Sequence, residues 1–294
     1  MSFRLEMLQV ARLAPKVLGD AVDLVTAFLR STQNADGGFA DRGGRSDLYY
    51  SVFAIEGLFA LRADLPLASF RKYLRSFGGG ENLDFVHACC LARCWAMFRD
   101  EPPAADTVDE ILRRVEACRT SDGGYAARPG DDIGTVYHSF LALGAYQDLA
   151  REMPTPARVL DCVRALRMPD GGYANQRDLP VGLTPPTAAA VTLLRHFGEH
   201  PDPSAGAWLM ARHFEQGGFF ATPDAPIPDL LSTATALHAL SGLKHDLEPI
   251  RERCLDFVDT LWTTRGGFLG SWEDEELDAE YTYYGLLALG HLAV

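Results

Sequence analysis

Acidic residues recur in this chain directly ahead of apolar, helix-like runs. Asp47, Asp84, Asp131 with Asp132, Asp229, and Asp278 with Glu280 occupy such places, and Thr184 stands at the remaining one. A carboxyl there has two possible uses. It can cap the helix by accepting its free N–H groups. Removed from water beside other carboxyls, it instead keeps its proton and becomes an acid. Carboxyls stand close together in two such segments, Pro129-Gly130-Asp131-Asp132 and Asp278-Ala279-Glu280-Tyr281-Thr282.

Other reactive side chains cluster near the same points. Aligning the apolar runs on their starts gives a column of Ser51, His87, Thr135, Thr187, Thr233 and Thr282, hydroxyls of the kind that settle into a first helical turn. His87, Cys90 and Cys94 fall at i, i+3 and i+7 and share one helix face. Three such ligands can hold a metal, but inside an apolar run this spacing reads as core. Tyr137 and His138 lie one turn into the third run, a second acid–base element beside His87. His200, His213 and His245 fall in charged or loop segments and carry no chemistry of their own. Walker, Gly-x-Ser-x-Gly, His-Glu-x-x-His and thioester motifs are all missing from the sequence.

These residues are positioned by a repeat. Gly-Gly-aromatic recurs at Gly37-Gly38-Phe39, Gly123-Gly124-Tyr125, Gly171-Gly172-Tyr173, Gly217-Gly218-Phe219 and Gly266-Gly267-Phe268, with Gly78-Gly79-Gly80 filling the long gap. Successive copies lie roughly 41 to 49 residues apart, the length of a two-helix unit. An amphipathic helix precedes each turn, as at 21–32 and 156–166. A far more apolar helix follows, expected at 48–61, 83–98, 133–149, 186–197, 230–243 and 280–292. An amphipathic helix needs one wet face, and a helix apolar all round must be buried. The expectation is an all-α (α/α)6 barrel over 1–294, with an inner and an outer ring and an N-terminal extension over 1–16. The glycines are expected to end the outer helices in the left-handed cap conformation, with the aromatic tucked beneath.

Bulk properties narrow the partners. Net charge is −13 and the pI is near 5.0, which repels nucleic-acid backbones and anionic membranes. No stretch reaches the length of a membrane span. The six cysteines form no Cys-x-x-Cys pair and sit mostly in apolar runs, as expected of reduced thiols in a cytoplasmic protein. The N-terminal segment carries Glu6 and lacks the apolar run of a signal peptide.

Six units of outer helix, Gly-Gly-Phe/Tyr turn and inner helix resemble the repeat of the prenyltransferase β subunits and squalene cyclases. The likeness runs from about residue 17 onward. It implies a pocket inside the inner ring, with polar groups at the N-terminal ends of the inner helices. Protein prenyltransferases of that family hold zinc with Asp-x-Cys in the fifth repeat and His in the sixth. Here Asp229 matches, but Leu231 and Tyr281 occupy the other two positions, so zinc is not expected there. Mg²⁺ remains open, and no cofactor is fixed by the sequence. The family grips diphosphate with basic residues ahead of the fifth inner helix, where 221–228 has none; Arg45, Arg128 and Arg177 lie in equivalent loops.

Class II cyclases of the same superfamily protonate an alkene with the middle Asp of Asp-x-Asp-Asp. The nearest matches are 129–132, which lacks the leading Asp and lies about two residues out of register, and 278–282. The second is in register, with Glu280 at the acid position and Tyr281 in place of the last Asp. The resemblance thus implies Asp132, Glu280 and Asp278 as candidate acids. The expected activity is that of an isoprenoid-handling enzyme of prenyltransferase or class II cyclase type, holding a polyprenyl chain in the barrel. Expected substrate contacts are Tyr50, His87, Tyr137, His138, Asp229, Tyr281, Tyr283 and Arg177. Two other readings stay open. One is a lipid-binding barrel without turnover. The other is a partner-binding subunit whose lumen is plugged by bulky residues such as Phe53, Phe59, Trp95 and Phe140. A second helical subunit or a homodimer is a possible partner.

Overall fold

The computed structural model describes residues 2–98, 100–199 and 201–294, so His200 lies outside the described residues. Two short helices open the chain, α1 (Phe3–Ala11) and α2 (Pro15–Leu18). The outer helices are α3 (Val22–Ser31), α5 (Leu67–Arg75), α7 (Ala105–Ala117), α9 (Pro156–Arg164), α11 (Pro203–Met210) and α13 (Arg251–Leu261). The inner ones are α4 (Leu48–Ala60), α6 (Phe85–Trp95), α8 (Val136–Asp148), α10 (Thr184–His196), α12 (Leu230–Gly242) and α14 (Ala279–Leu292). Each lies within about three residues of its expected bounds. Each inner helix packs on the next, and α14 packs back on α4, so the inner ring closes.

The division into rings follows from which faces are apolar. Helix α7 buries Val108, Ile111, Leu112 and Val115, one stripe at i, i+3, i+4 and i+7. Helix α12 buries residues on every side, from Leu230 through Leu240. Asp47, Asp84, Asp229 and Asp278 cap inner helices by accepting backbone N–H groups, and Thr135 does so for α8. Helix α10 has no side-chain cap and opens instead on Pro185 and Pro186 after Thr184.

The turn and the inner helix are joined by one repeated bond. The backbone N–H of the aromatic donates to a hydroxyl four residues past the helix cap: Phe39 to Ser51 (2.9 Å), Tyr125 to Ser139 (3.2 Å), Tyr173 to Thr187 (2.8 Å), Phe219 to Thr233 (2.9 Å) and Phe268 to Thr282 (3.3 Å). This corrects the expected column twice. The third repeat uses Ser139, because Thr135 is spent as the cap. In the second repeat the equivalent position is Ala88, and His87 sits one residue earlier.

The glycines also differ from expectation. They do not cap the outer helices, whose C-caps are Thr32, Ser76, Cys118, Ala165, Ala211 and Trp262. They form a tight turn several residues later, closed by bridges such as His213 to Phe219 and Trp262 to Phe268. At Gly217 the φ angle is +108°, and a Cβ would meet the Arg253 carbonyl oxygen at 1.9 Å. In the first repeat the turn grows into a ribbon of β1 (Phe39–Ala40) and β2 (Ser46–Asp47), with Phe39 opposite Asp47.

Helix α1 is more than an extension. It packs against α4, α8 and α14 and closes the end of the barrel away from the helix caps. Arg4 Nε donates to Glu56 Oε1 (3.0 Å), the Phe3 amide donates to Gln147 (3.0 Å), and Phe3 stacks on Phe140 with centroids 4.5 Å apart. At the other end Arg42, from the first repeat, donates to Asp274 and Asp278 of the last (both 2.7 Å) and ties the seam.

Two substitutions test this framework. Gly217→Ala forces both a disfavoured φ and a backbone clash, and should lower unfolding free energy by about 2–4 kcal/mol in urea melts. Thr233→Val strands the buried Phe219 amide and should cost about 1–3 kcal/mol. Values near zero for both would mean that the turn does not anchor the helix.

Candidate active site

The hydroxyl bond fixes the rotation of five of the six inner helices, and positions two, six and nine residues past the caps turn toward the lumen. They line a cavity of about 200 Å³. The layer nearest the caps holds Tyr49, Tyr137, Pro185, Leu231 and Glu280. The next holds Phe53, Leu141, Ala189, Thr235 and Tyr284. Arg93, Thr192, His238 and Leu287 follow, and Met7 of α1 lies at the bottom. Phe140, Asn175, Pro186 and Ala188 complete the wall. A side lobe of about 50 Å³ reaches Phe3, Cys89 and Cys90.

Glu280 is the one carboxylate-bearing residue that lines the main cavity among the described residues. Tyr49 Oη donates to Glu280 Oε1 at 2.6 Å. Burial pushes the Glu280 carboxyl up to about 7; Asp278 adds to this, while the Tyr49 hydrogen bond and Arg42 oppose it. Asp278 is buried beside it and also raised by burial, against the Tyr281 amide and the Arg42 ion pair, which both hold its charge. Arg42 is thus bound at two carboxylates and lies about 5.5 Å over the Tyr281 ring. Burial likewise keeps the Tyr49, Tyr137 and Tyr284 phenols neutral.

The expected site residues separate into groups. Glu280 and Tyr137 line the cavity, with Tyr137 36% exposed at its mouth. Asp278 is the helix cap two residues before Glu280. Asp132 lies exposed on the loop before α8 and is not among the lining residues. His87 bridges Asp84 (2.8 Å) and Asp47 (3.0 Å); the Asp47 bond, then Asp84, outweigh desolvation and raise its imidazole to about 9. It is therefore a cationic strut between two caps. His138 bonds Thr135 at 2.8 Å and is lowered by burial. Tyr50 packs edge-on to Tyr49, and Tyr283 is fully buried outside the cavity. Arg177 bonds Asp122 at 2.6 Å, and Arg45 and Arg128 pair with Asp41 and Asp131.

The family's metal position does not fit zinc. The Asp229 carboxylate accepts from the Ser232 amide and hydroxyl (both 2.7 Å), Leu231 faces the cavity, and Tyr281 lies under Arg42. His87, Cys90 and Cys94 do not converge either, and no group of three or more potential ligands occurs among the described residues. Of the bulky inner residues, Phe53 and Phe140 form walls, Phe59 lies under Arg12, and Trp95 packs on Phe98.

Sequence reasoning missed Tyr49, Tyr284, Arg93 and His238, and offered Phe53 only as a lumen plug. Counting from the acidic caps by two, six and nine would have found them. It also missed the buried cluster at depth, in which Arg93 donates twice to Glu56 (2.8 and 2.6 Å) and Arg4 once.

Comparison with solved structures gives the same architecture. The type II terpene cyclase MstE from Scytonema, in complex with geranylgeranyl dihydroxybenzoate, is 14% identical over 96% of this chain and 97% of its own, with a TM-score of 0.64. The GH76A α-1,6-mannanase from Salegentibacter sp. HEL1_6 is 12% identical over 94% and 98%, with a TM-score of 0.61. A protein from Actinoplanes is 15% identical over 93% and 98%, with a TM-score of 0.58. Likeness at this level shows the fold and leaves the chemistry to the site. No curated protein matches the chain in sequence. No helix among the described residues is long and apolar enough to cross a membrane. The sequence model of the prenyltransferase alpha-alpha toroid domain matches residues 7–91, 65–164 and 187–293, and the chain belongs to that family.

Proposed function

We propose that this protein is an isoprenoid-handling enzyme that starts cyclisation or isomerisation by protonating an alkene, with Glu280 as the acid. The observation that carries the reading is a carboxyl poised near neutrality inside an aromatic-walled cavity. Such a group is available as an acid at physiological pH. Its O–H bond breaks as the proton forms a C–H bond at one alkene carbon, leaving a tertiary cation at the other. The faces of Tyr49, Phe53, Tyr137, Phe140 and Tyr284 surround that charge and suit a cation. A second alkene of the same chain attacks the cation, and proton loss ends the sequence. Atoms balance as an isomerisation, so no oxidant or metal enters.

Other chemistries fit less well. Paired carboxyls about 5–9 Å apart across a bond are needed for glycoside hydrolysis, and the cavity offers Glu280 alone. Ionisation of a diphosphate calls for free cations, yet Arg42 and Arg177 are committed to carboxylates and Arg93 lies deep beside Glu56. MstE, similar in fold, binds a geranylgeranyl compound, which supports the substrate class. At about 200 Å³, the cavity exceeds the ~150 Å³ that houses benzene in an engineered core.

Incubation with geranyl, farnesyl and geranylgeranyl diphosphates and their alcohols should yield cyclised isomers of at least one. Glu280→Gln should lower turnover about 10²–10⁴-fold, while Asp132→Asn should leave it within twofold. Equal turnover in Glu280→Gln and wild type would end the proposal.

The Glu280 proton should also be visible directly. A carboxylic C=O infrared band should disappear as pH rises through about 7 and be absent from Glu280→Gln. With a folded pKa of about 7 against an ordinary 4.5, this group's contribution to stability is full below pH 4.5 and is lost through pH 7. Glu280→Gln should therefore gain stability relative to wild type above pH 7, and no relative gain would contradict the assignment. Tyr49→Phe removes a bond that favours the carboxylate and should move the infrared midpoint upward.

A further inference from the structure

His238 projects from α12 into the lumen and lines the same cavity as Glu280, two turns deeper than the layer that holds the acid. It is 93% buried by its 7% exposure. Its Nδ1 lies 3.1 Å from His291 Nε2, while its Nε2 has no hydrogen-bond partner. Among the described residues, it is the one lining residue of the main cavity or its side lobe with such an orphaned buried atom. The other polar side chains at that depth are satisfied: Thr192 and Thr235 donate to backbone carbonyls, and Arg93 to Glu56. A buried nitrogen left without a partner costs free energy unless something fills its place.

Its surroundings suit a proton acceptor. If Nδ1 donates to His291, Nε2 keeps its lone pair unshared on a ring that lines the cavity. Burial favours the neutral ring. The Glu6 carboxylate lies 3.9 Å from Nε2 and is itself paired with Arg195 at 3.3 Å. A proton arriving on Nε2 would therefore meet a carboxylate on α1, a cation beyond it on α10, and His291 on α14.

We infer that His238 Nε2 is the base that ends the reaction, taking the proton released from the carbocation at the deep end of the cavity. This rests on the proton-initiated reading above. In the final step a C–H bond adjacent to the cation breaks, its electron pair forms the new alkene, and the proton moves to Nε2. Glu280 has lost one proton and His238 has gained one, so exchange with water resets both. The acid and the base thereby sit at opposite ends of one cavity, and the placement of the base decides which alkene isomer leaves.

The test compares products of wild type and His238→Gln on the isoprenoid that wild type consumes, in D₂O. Circular dichroism verifies folding, and His238→Asn stands in if Gln does not fold. Consumption should persist with one deuteron taken up, since Glu280 is untouched, but turnover should fall about 10- to 100-fold. The product should shift to another alkene isomer or to an alcohol formed by water capture. An unchanged product, at whatever rate, overturns the assignment while leaving the acid role of Glu280 standing. Failure of wild type to consume any of the isoprenoids removes both proposals together.

Discussion

The bond from each Gly-Gly-aromatic turn to a hydroxyl on the inner helix is the constraint on which the rest depends. An amide buried under an aromatic ring must find an acceptor, and only a hydroxyl four residues past the cap supplies one. That demand sets the rotation of the inner helix about its axis. Once Thr282 faces outward to Phe268, Glu280 and Tyr284 must face inward. The same turn brings the outer helix of the next repeat against the glycines, where Gly217 leaves room for the Arg253 carbonyl. Ring geometry and site geometry therefore share one origin.

Closure follows from two further contacts and determines the electrostatics. Arg42 joins the first and last repeats and holds the Asp278 charge, while Glu280, two residues on, has only a phenol as its partner. Neighbouring carboxyls are thereby driven apart in behaviour, one ion-paired and one poised to hold a proton. At the far end α1 seals the lumen with Phe3 and Met7. Burial is what raises the Glu280 carboxyl, and the apolar wall around it would also shield a carbocation from capture.

Much of this was legible in the residues. Acidic caps and long apolar runs located the inner helices, and Glu280 stood out because it lay in register with an acid motif. The third repeat misled because Thr135 and Ser139 are both hydroxyls one turn apart, and only structure tells the cap from the anchor. His87 looked like a site residue because helical spacing does not reveal that two caps, Asp47 and Asp84, claim both ring nitrogens. Helix α1 was hidden for another reason: it is short and carries Arg4 and Glu6, so its burial depends on Glu56 and Arg195, partners far away in sequence. The aromatic wall emerged only once the cap positions were known, since apolar residues on these helices occur on every side.

The most direct test of the central claim is mass spectrometry of the product formed in D₂O, with Mg²⁺ present or chelated. Protonation by Glu280 predicts a cyclised isomer carrying one deuterium at the carbon of the first-attacked alkene, at a rate indifferent to Mg²⁺. A product free of deuterium, formed only with Mg²⁺ and with release of diphosphate, would contradict the account.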